Sequence, residues 1–204
     1  MSKFFSEVSK SECISKVPEI HPETSMSKDE AKNYIENNLA KIKDLDDNGK
    51  EYKKGNELKP NITYELNGAK YETDSQGRII RCESKIEINP NRHQRKSMNV
   101  SMDDIAKGDQ LPTDQRSHLK GDQLEGSNQQ GNLVAMDRTL NQGPYKVMEN
   151  NLAKNAATGR ETKLKVDIKY KNKSFRPDSF KCTYTIDGEK TRVTFKNKEI
   201  NNGK

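Results

Sequence analysis

Between Ile62 and Ile88 the chain reads ITYELNGAKYETDSQGRIIRCESKIEI, and this alternation constrains the fold more than any other feature. Apolar and polar residues take turns over three short runs, the period at which successive side chains point to opposite faces of a sheet. Asn67-Gly68 lies between the first two runs. It is a pair that a two-residue hairpin selects, because both central residues need positive φ. Asp74-Ser75-Gln76-Gly77 supplies a second turn. Residues 62–88 are therefore expected as a three-stranded meander. The same pattern returns later: TKLKVDIKY alternates as a strand, and DSFKCTYTIDGEKTRVTFKN reads as a hairpin around Asp187-Gly188.

Helical signals are sparser. Ser27-Lys28-Asp29-Glu30 is a capping box. Behind it Ala31, Tyr34, Ile35, Asn38, Leu39, Ile42 and Leu45 share one stripe, which predicts a helix over 28–45. Residues 46–60 read as a charged linker, and 1–26 as a weakly ordered leader. Residues 89–112 read as a basic loop. Gly143-Pro144 introduces a second helix, since Pro suits a first helical position; Tyr145, Met148, Leu152 and Ala156 follow at helical spacing and Gly159 caps the end. The fold class is α+β: a short helical N-terminal segment and linker over 1–60, then a domain over 61–204 with an antiparallel sheet.

Composition narrows the function classes. Charged residues are 33% and hydrophobic ones 29% of 204 residues, a thin supply of core for the length. A net charge of +6 favours acidic partners such as nucleic acid. No apolar run approaches the roughly 18 residues of a membrane span. Cys13, Cys82 and Cys182 are too scattered for a zinc module or a disulfide framework. Cys82 and Cys182 sit in strand-like runs and are expected as buried thiols. The N-terminus lacks the apolar core of a signal peptide. Walker, G-x-S-x-G, H-E-x-x-H and G-x-G-x-x-G motifs are absent, which leaves no small-molecule cofactor to expect.

The chemistry-bearing residues gather in TDQRSHLKGDQLEGSNQQGNLVAMDRTLNQGPYKVMEN, Thr113 to Asn150. His118 is a natural general base at neutral pH. Asn132, Asn141 and Glu149 follow it. An amide oxygen is a hard, neutral ligand that suits Mg²⁺, an ion that keeps most of its waters. Eight helical residues turn through roughly 80° net, so Asn141 and Glu149 can share one side. A histidine base, an amide ligand and a carboxylate make a sparse kit for metal-assisted phosphodiester hydrolysis.

At these residues the chain resembles the DNA/RNA non-specific endonucleases, the ββα-metal or His-Me finger nucleases. The matching pattern is Asp114, His118-Leu119, a Gly-containing loop, Asn132-Leu133-Val134, Asn141 and Glu149. Downstream Arg176-Pro177 and a strand ending Asp187-Gly188 match the family's tail, and YETDSQGRI matches the strand that opens such domains. The resemblance covers roughly 60–197 and is nearest to nuclease tips of secreted bacterial toxins. It implies a ββα-metal core, with His118 as general base, Asn141 holding Mg²⁺ (or Mn²⁺), Asn132 positioning His118 or the ion's waters, and Glu149 orienting the ion's water. It also implies an arginine that steadies the transition state, for which Arg92 and Arg95 are candidates, with Arg116 third. Together with Lys96 these form the expected phosphate contacts. DNA or RNA is the expected substrate, an acidic immunity protein an expected partner, and delivery into the cytoplasm of a target cell without a classical signal peptide the expected route. Ser117 stands where the family has Gly. A second reading attaches to that departure: a nuclease-like module that binds nucleic acid or a partner without cutting. A third makes the amphipathic 31–45 stripe a docking helix.

Overall fold

The computed structural model describes residues 43–89 and 98–198. The helix expected over 28–45 lies outside them except at its end, where Lys43 is helical. Arg92, His93, Arg95 and Lys96 also lie outside.

Residues 46–60, expected as a linker, are folded. β1 (Lys53–Lys54) and β2 (Glu57–Leu58) pair antiparallel. Just before them Tyr52 is fully buried and stacks on Tyr64, ring centroids 4.8 Å apart. A lone tyrosine among lysines and glutamates has no periodicity to reveal it, yet its ring enters the core.

The meander forms as expected, in β3 (Thr63–Leu66), β4 (Ala69–Thr73) and β5 (Ile79–Lys85). Asn67 and Gly68 take φ of 49° and 65° between β3 and β4. The stretch expected as a basic loop contains a short helix, α1 (Met102–Ala106). Ser101 and Asp104 cap it reciprocally, a capping box too close to the preceding basic run to stand out by composition. Next come β6 (Asp114–His118) and β7 (Leu133–Asp137), paired antiparallel with Ser117 opposite Val134 and His118 opposite Leu133. A helical turn (Arg138–Leu140) and a π-turn (Asn141–Tyr145) lead into α2 (Lys146–Ala157). Pro144 thus sits in the π-turn rather than at the first position of α2, because Gly143 breaks the helical path with φ −109° and ψ −109°. β8 (Thr162–Tyr170), β9 (Pro177–Ile186) and β10 (Glu189–Lys196) finish the chain, with Asp187-Gly188 at the last turn, φ 49° and 85°.

Six strands form one antiparallel sheet, ordered β10-β9-β8-β5-β4-β3. Register sorts its faces. Tyr71, Cys82, Val166 and Cys182 are successive cross-strand partners, all fully buried. Burial holds the Cys82 thiol up to about 12, so it behaves as an inert small hydrophobe. The next row, Glu72, Arg81, Asp167 and Lys181, faces outward, and Arg81 bridges Glu72 and Asp167 at 2.9 Å each. Against the inner face pack Met136 of β7 and Met148 and Leu152 of α2. β6, β7 and α2 make the ββα unit, laid on the sheet. All five residues of β7 are buried. That explains why Leu-Val-Ala-Met-Asp shows no alternation: strands covered on both faces lose the period-2 signal.

One polar network fastens this unit to the sheet. Asp114, whose side chain is wholly buried, accepts two bonds from Arg176, 2.6 Å from Nε and 2.8 Å from Nη2. Arg176 Nη1 also donates to the Asn197 carbonyl at 2.7 Å. The Asn197 amide donates to the carbonyls of Ala135 and Pro177 and accepts from the Asp137 N–H. The two ends of the motif, Asp114 and Arg176-Pro177, are therefore one buried ion pair.

Candidate active site

The loop from Leu119 to Asn132 joins β6 to β7, and four tyrosine hydroxyls hold it. Tyr52 donates to Gln129 Oε1 (2.8 Å), Tyr64 to the Gly131 carbonyl (2.7 Å), Tyr71 to Asn132 Oδ1 (2.9 Å) and Tyr145 to the Leu119 carbonyl (2.8 Å). Each ring is buried in the core and each hydroxyl reaches the loop, the division of labour that suits a buried tyrosine. A chain without Trp thereby fixes an otherwise polar loop.

Asn132, expected to position His118 or the ion's waters, is fully buried and spans this loop instead. Its Oδ1 accepts from the Lys120 N–H (3.0 Å) as well as from Tyr71, and its Nδ2 donates to the carbonyls of Lys120 (2.9 Å) and Ser127 (2.8 Å). It does not line the cleft described next.

His118, Asn141, Glu149, Arg116, Gln115 and Lys146 all line one cleft of about 560 Å³, between β6, the π-turn and the first turn of α2. His118 comes from the end of β6. Its Nε2 lies 2.7 Å from Asn128 Oδ1. A carbonyl oxygen can only accept, so Nε2 carries the proton and Nδ1 is the basic nitrogen. Asn128 had no distinguishing mark in the sequence: it is one of several Asn and Gln in a polar loop. Ser117, beside His118, is 1% exposed, lies within β6 outside the positive-φ region, and donates to the Gln115 carbonyl at 3.3 Å. This strand position needs no glycine conformation, and the hydroxyl finds a partner.

Asn141 enters from the π-turn. Its Nδ2 donates to Gln115 Oε1 at 2.9 Å, and Gln142 Nε2 donates to the same oxygen at 3.0 Å. Gln115 therefore sets the amide: the nitrogen is taken, and Oδ1 is the atom left for a cation. Arg116 is exposed in the cleft and donates to the carbonyls of Met98 and Val100.

Glu149 is half-buried as a residue, but its carboxyl tip is enclosed, with Oε1 buried and lacking a hydrogen-bond partner. Burial pushes its pKa up to about 8, only partly offset by the Gly121 N–H and by Lys146. Gly121 makes the room. A Cβ there would stand 2.4 Å from Glu149 Oε1, so any side chain would displace the carboxyl. The residue also sits in the first turn of a 12-residue helix, where backbone N–H groups favour negative charge.

A family model of DNA/RNA non-specific endonucleases matches residues 60–188. The chain belongs to that family. It is 31% identical over 144 residues to the type VII secretion system protein EssD of Staphylococcus aureus strain USA300, and equally to that of strain NCTC 8325. The matched stretch is 65% of this chain and 22% of each relative, so the chain spans about a fifth of their length. For an endonuclease of this family, the cleft brings His118, Asn141, Glu149 and Arg116 together. Gln115, Gly121 and Lys146 line it with them, and Asn128 bonds His118, all without having been legible. Among the described residues no three His, Cys, Asp or Glu cluster as a metal site, and no helix is long and apolar enough to cross a membrane.

Proposed function

We propose that this endonuclease cuts phosphodiester bonds of DNA and RNA without base selection, using His118 as general base and a divalent ion, Mg²⁺ or Mn²⁺, held by Asn141. The observation that carries the reading is the cleft itself: a histidine with its Nε2 tied down lines the same space as Asn141 and as Glu149, whose buried Oε1 lacks a partner.

The donor set fits such an ion. Mg²⁺ takes oxygen ligands and binds through one or two protein groups while keeping several waters. Asn141 Oδ1 is one such group, and Glu149 Oε1 is a buried acceptor in need of a donor or cation. Bound there, the ion supplies Lewis-acidic charge to the phosphate. The protein does the rest. His118 Nδ1 takes a proton from the attacking water while the water's oxygen bonds to phosphorus; the bond to the 3′ oxygen breaks, and that oxygen keeps the electron pair and takes a proton from solvent. The Nε2–H bond to Asn128 persists through both protonation states, so the imidazole need not reorient. Arg116 and Lys146 offer positive charge to phosphate, contacts that carry no base information. Arg92 and Arg95 remain candidates for the charge that steadies the transition state, with Lys96 beside them.

Likeness to a type VII secretion system protein supports a toxin delivered without a classical signal peptide and acting in the target cytoplasm, restrained by an acidic immunity partner in the producer. Plasmid and RNA incubated with Mg²⁺, with Mn²⁺ and with EDTA test the core of the proposal, alongside Asn141→Ala. Cleavage with either ion, lost in EDTA and in the variant, is expected. Undiminished cleavage in EDTA would exclude the metal.

A further inference from the structure

The sheet's outer face, opposite the cleft, is strongly basic where β8, β9 and β10 lie side by side. Register puts Lys163, Lys165 and Lys169 of β8 on this face, with Asp167 between them. Lys181 joins from β9, and Lys190, Arg192 and Lys196 from β10. Seven cations and one anion make a net of six positive charges, equal to the formal net charge of the whole chain, +6. Counting Asp178 and Glu189 as well, the three strands together carry a net +4, two thirds of the chain's excess.

Local pairing does not neutralise the face. Lys165 meets Glu83 at 2.9 Å and Asp167 at 3.9 Å, Lys163 meets Glu161 at 2.8 Å and Lys196 meets Asp178 at 3.9 Å, but these are surface pairs of the kind that contribute little. Lys169, Lys181, Lys190 and Arg192 are exposed, and their side chains make no ion pair among the described residues. Strands lie about 4.8 Å apart and alternate residues about 7 Å apart, which sets the charges in a flat grid roughly 10 Å by 20 Å.

The remaining outward residues decide what kind of partner fits. On these strands they are Thr183, Thr185 and Thr194, while Ser179 shares the register but is buried. None is aliphatic or aromatic. A stable protein interface needs a desolvated core with aromatic or aliphatic anchors, and this face offers none. Lysine, arginine and hydroxyl side chains are instead the groups that contact a phosphate backbone. We infer that the outer face of β8–β10 is a second nucleic-acid-binding surface, which holds a sugar-phosphate backbone by charge at a distance from the cut. This rests on the proposed substrate class but not on the proposed chemistry. The whole sheet separates the face from the cleft, so one straight duplex segment cannot touch both. The surface engages another segment of a long substrate and raises its effective concentration at the cleft.

The test uses the full chain carrying Lys181→Gln, Lys190→Gln and Arg192→Gln, exposed changes outside the core, against the unaltered chain. Binding of a fluorescent 40-base-pair duplex is followed by anisotropy in EDTA between 50 and 200 mM salt. Losing three phosphate contacts should flatten the log–log salt slope by about 2 to 3. Cleavage of long plasmid DNA should slow, while cleavage of an oligonucleotide too short to reach both faces should not. Unchanged duplex affinity and slope would overturn the inference, as would loss of poly-glutamate binding with duplex binding intact, which would mark the face for an acidic protein. Because binding is read in EDTA, failure of the chemistry proposed above leaves the readout intact.

Discussion

Replacing Glu149 by Gln separates the charge of this carboxyl from its shape. Burial raises the Glu149 pKa from 4.5 to about 8 in the folded protein. Between those values the folded state keeps a proton that the unfolded state releases. The unfolded state therefore gains as pH rises, and stability falls across this window by about 1.4 kcal/mol per pH unit. Below about pH 4.5 both states are protonated and the effect vanishes; above about pH 8 it levels off, at a total on the order of 5 kcal/mol. Gln fills nearly the same volume under Gly121 and does not titrate. In EDTA the variant should match the parent near pH 4.5, exceed it by roughly 3 kcal/mol at pH 7, and by up to about 5 kcal/mol at pH 8.5. Urea unfolding of both proteins at four or five pH values reads this difference directly, because every other titrating group is common to the pair. A divalent ion beside the carboxylate should flatten the parent's decline. A difference that stays constant with pH, or a parent more stable than the variant at pH 8.5, would refute the burial argument.

Other expectations follow from the same geometry. Asn128→Ala removes the partner of His118 Nε2 but touches no phosphate. It should lower kcat by roughly tenfold, less than the 10²–10⁴ that the general base itself contributes, and leave KM unchanged. It should add little to His118→Ala in the double variant, as residues acting as a unit do; full additivity would separate the two. Gln115→Ala frees the Asn141 amide to turn, and Mn²⁺ affinity read by calorimetry should fall by about tenfold or more, with recovery in Gln115→Glu. Arg176→Ala strands a wholly buried Asp114 carboxylate and should cost about 3–5 kcal/mol in thermal or urea unfolding; a loss under about 1 kcal/mol would contradict the buried pair.

The sheet was legible because its turns and its alternation are local signals. Asn67-Gly68 and Asp187-Gly188 fall where the hairpins turn. β7 was not legible as a strand from its pattern, since burial on both faces erases alternation; the family resemblance marked only Asn132-Leu133-Val134, as a motif. Tyr52 and the hairpin of β1 and β2 were hidden in a charged run, because one ring is enough to join a core that other segments build. In the cleft, His118, Asn141, Glu149 and Arg116 were readable as types of chemistry. The residues that orient them were not. Asn128 and Gln115 act through single hydrogen bonds across 10 and 26 residues of chain, and nothing in a run of Asn and Gln distinguishes the one that faces a histidine. Asn132 shows the converse: a residue singled out by motif turns out to hold the loop from within.

Plasmid nicking by the purified chain and by His118→Ala, side by side in Mg²⁺, tests the central claim most directly. Losing the general base should slow the reaction by 10²-fold or more while duplex binding in EDTA stays the same. Equal nicking rates for the two proteins would contradict it.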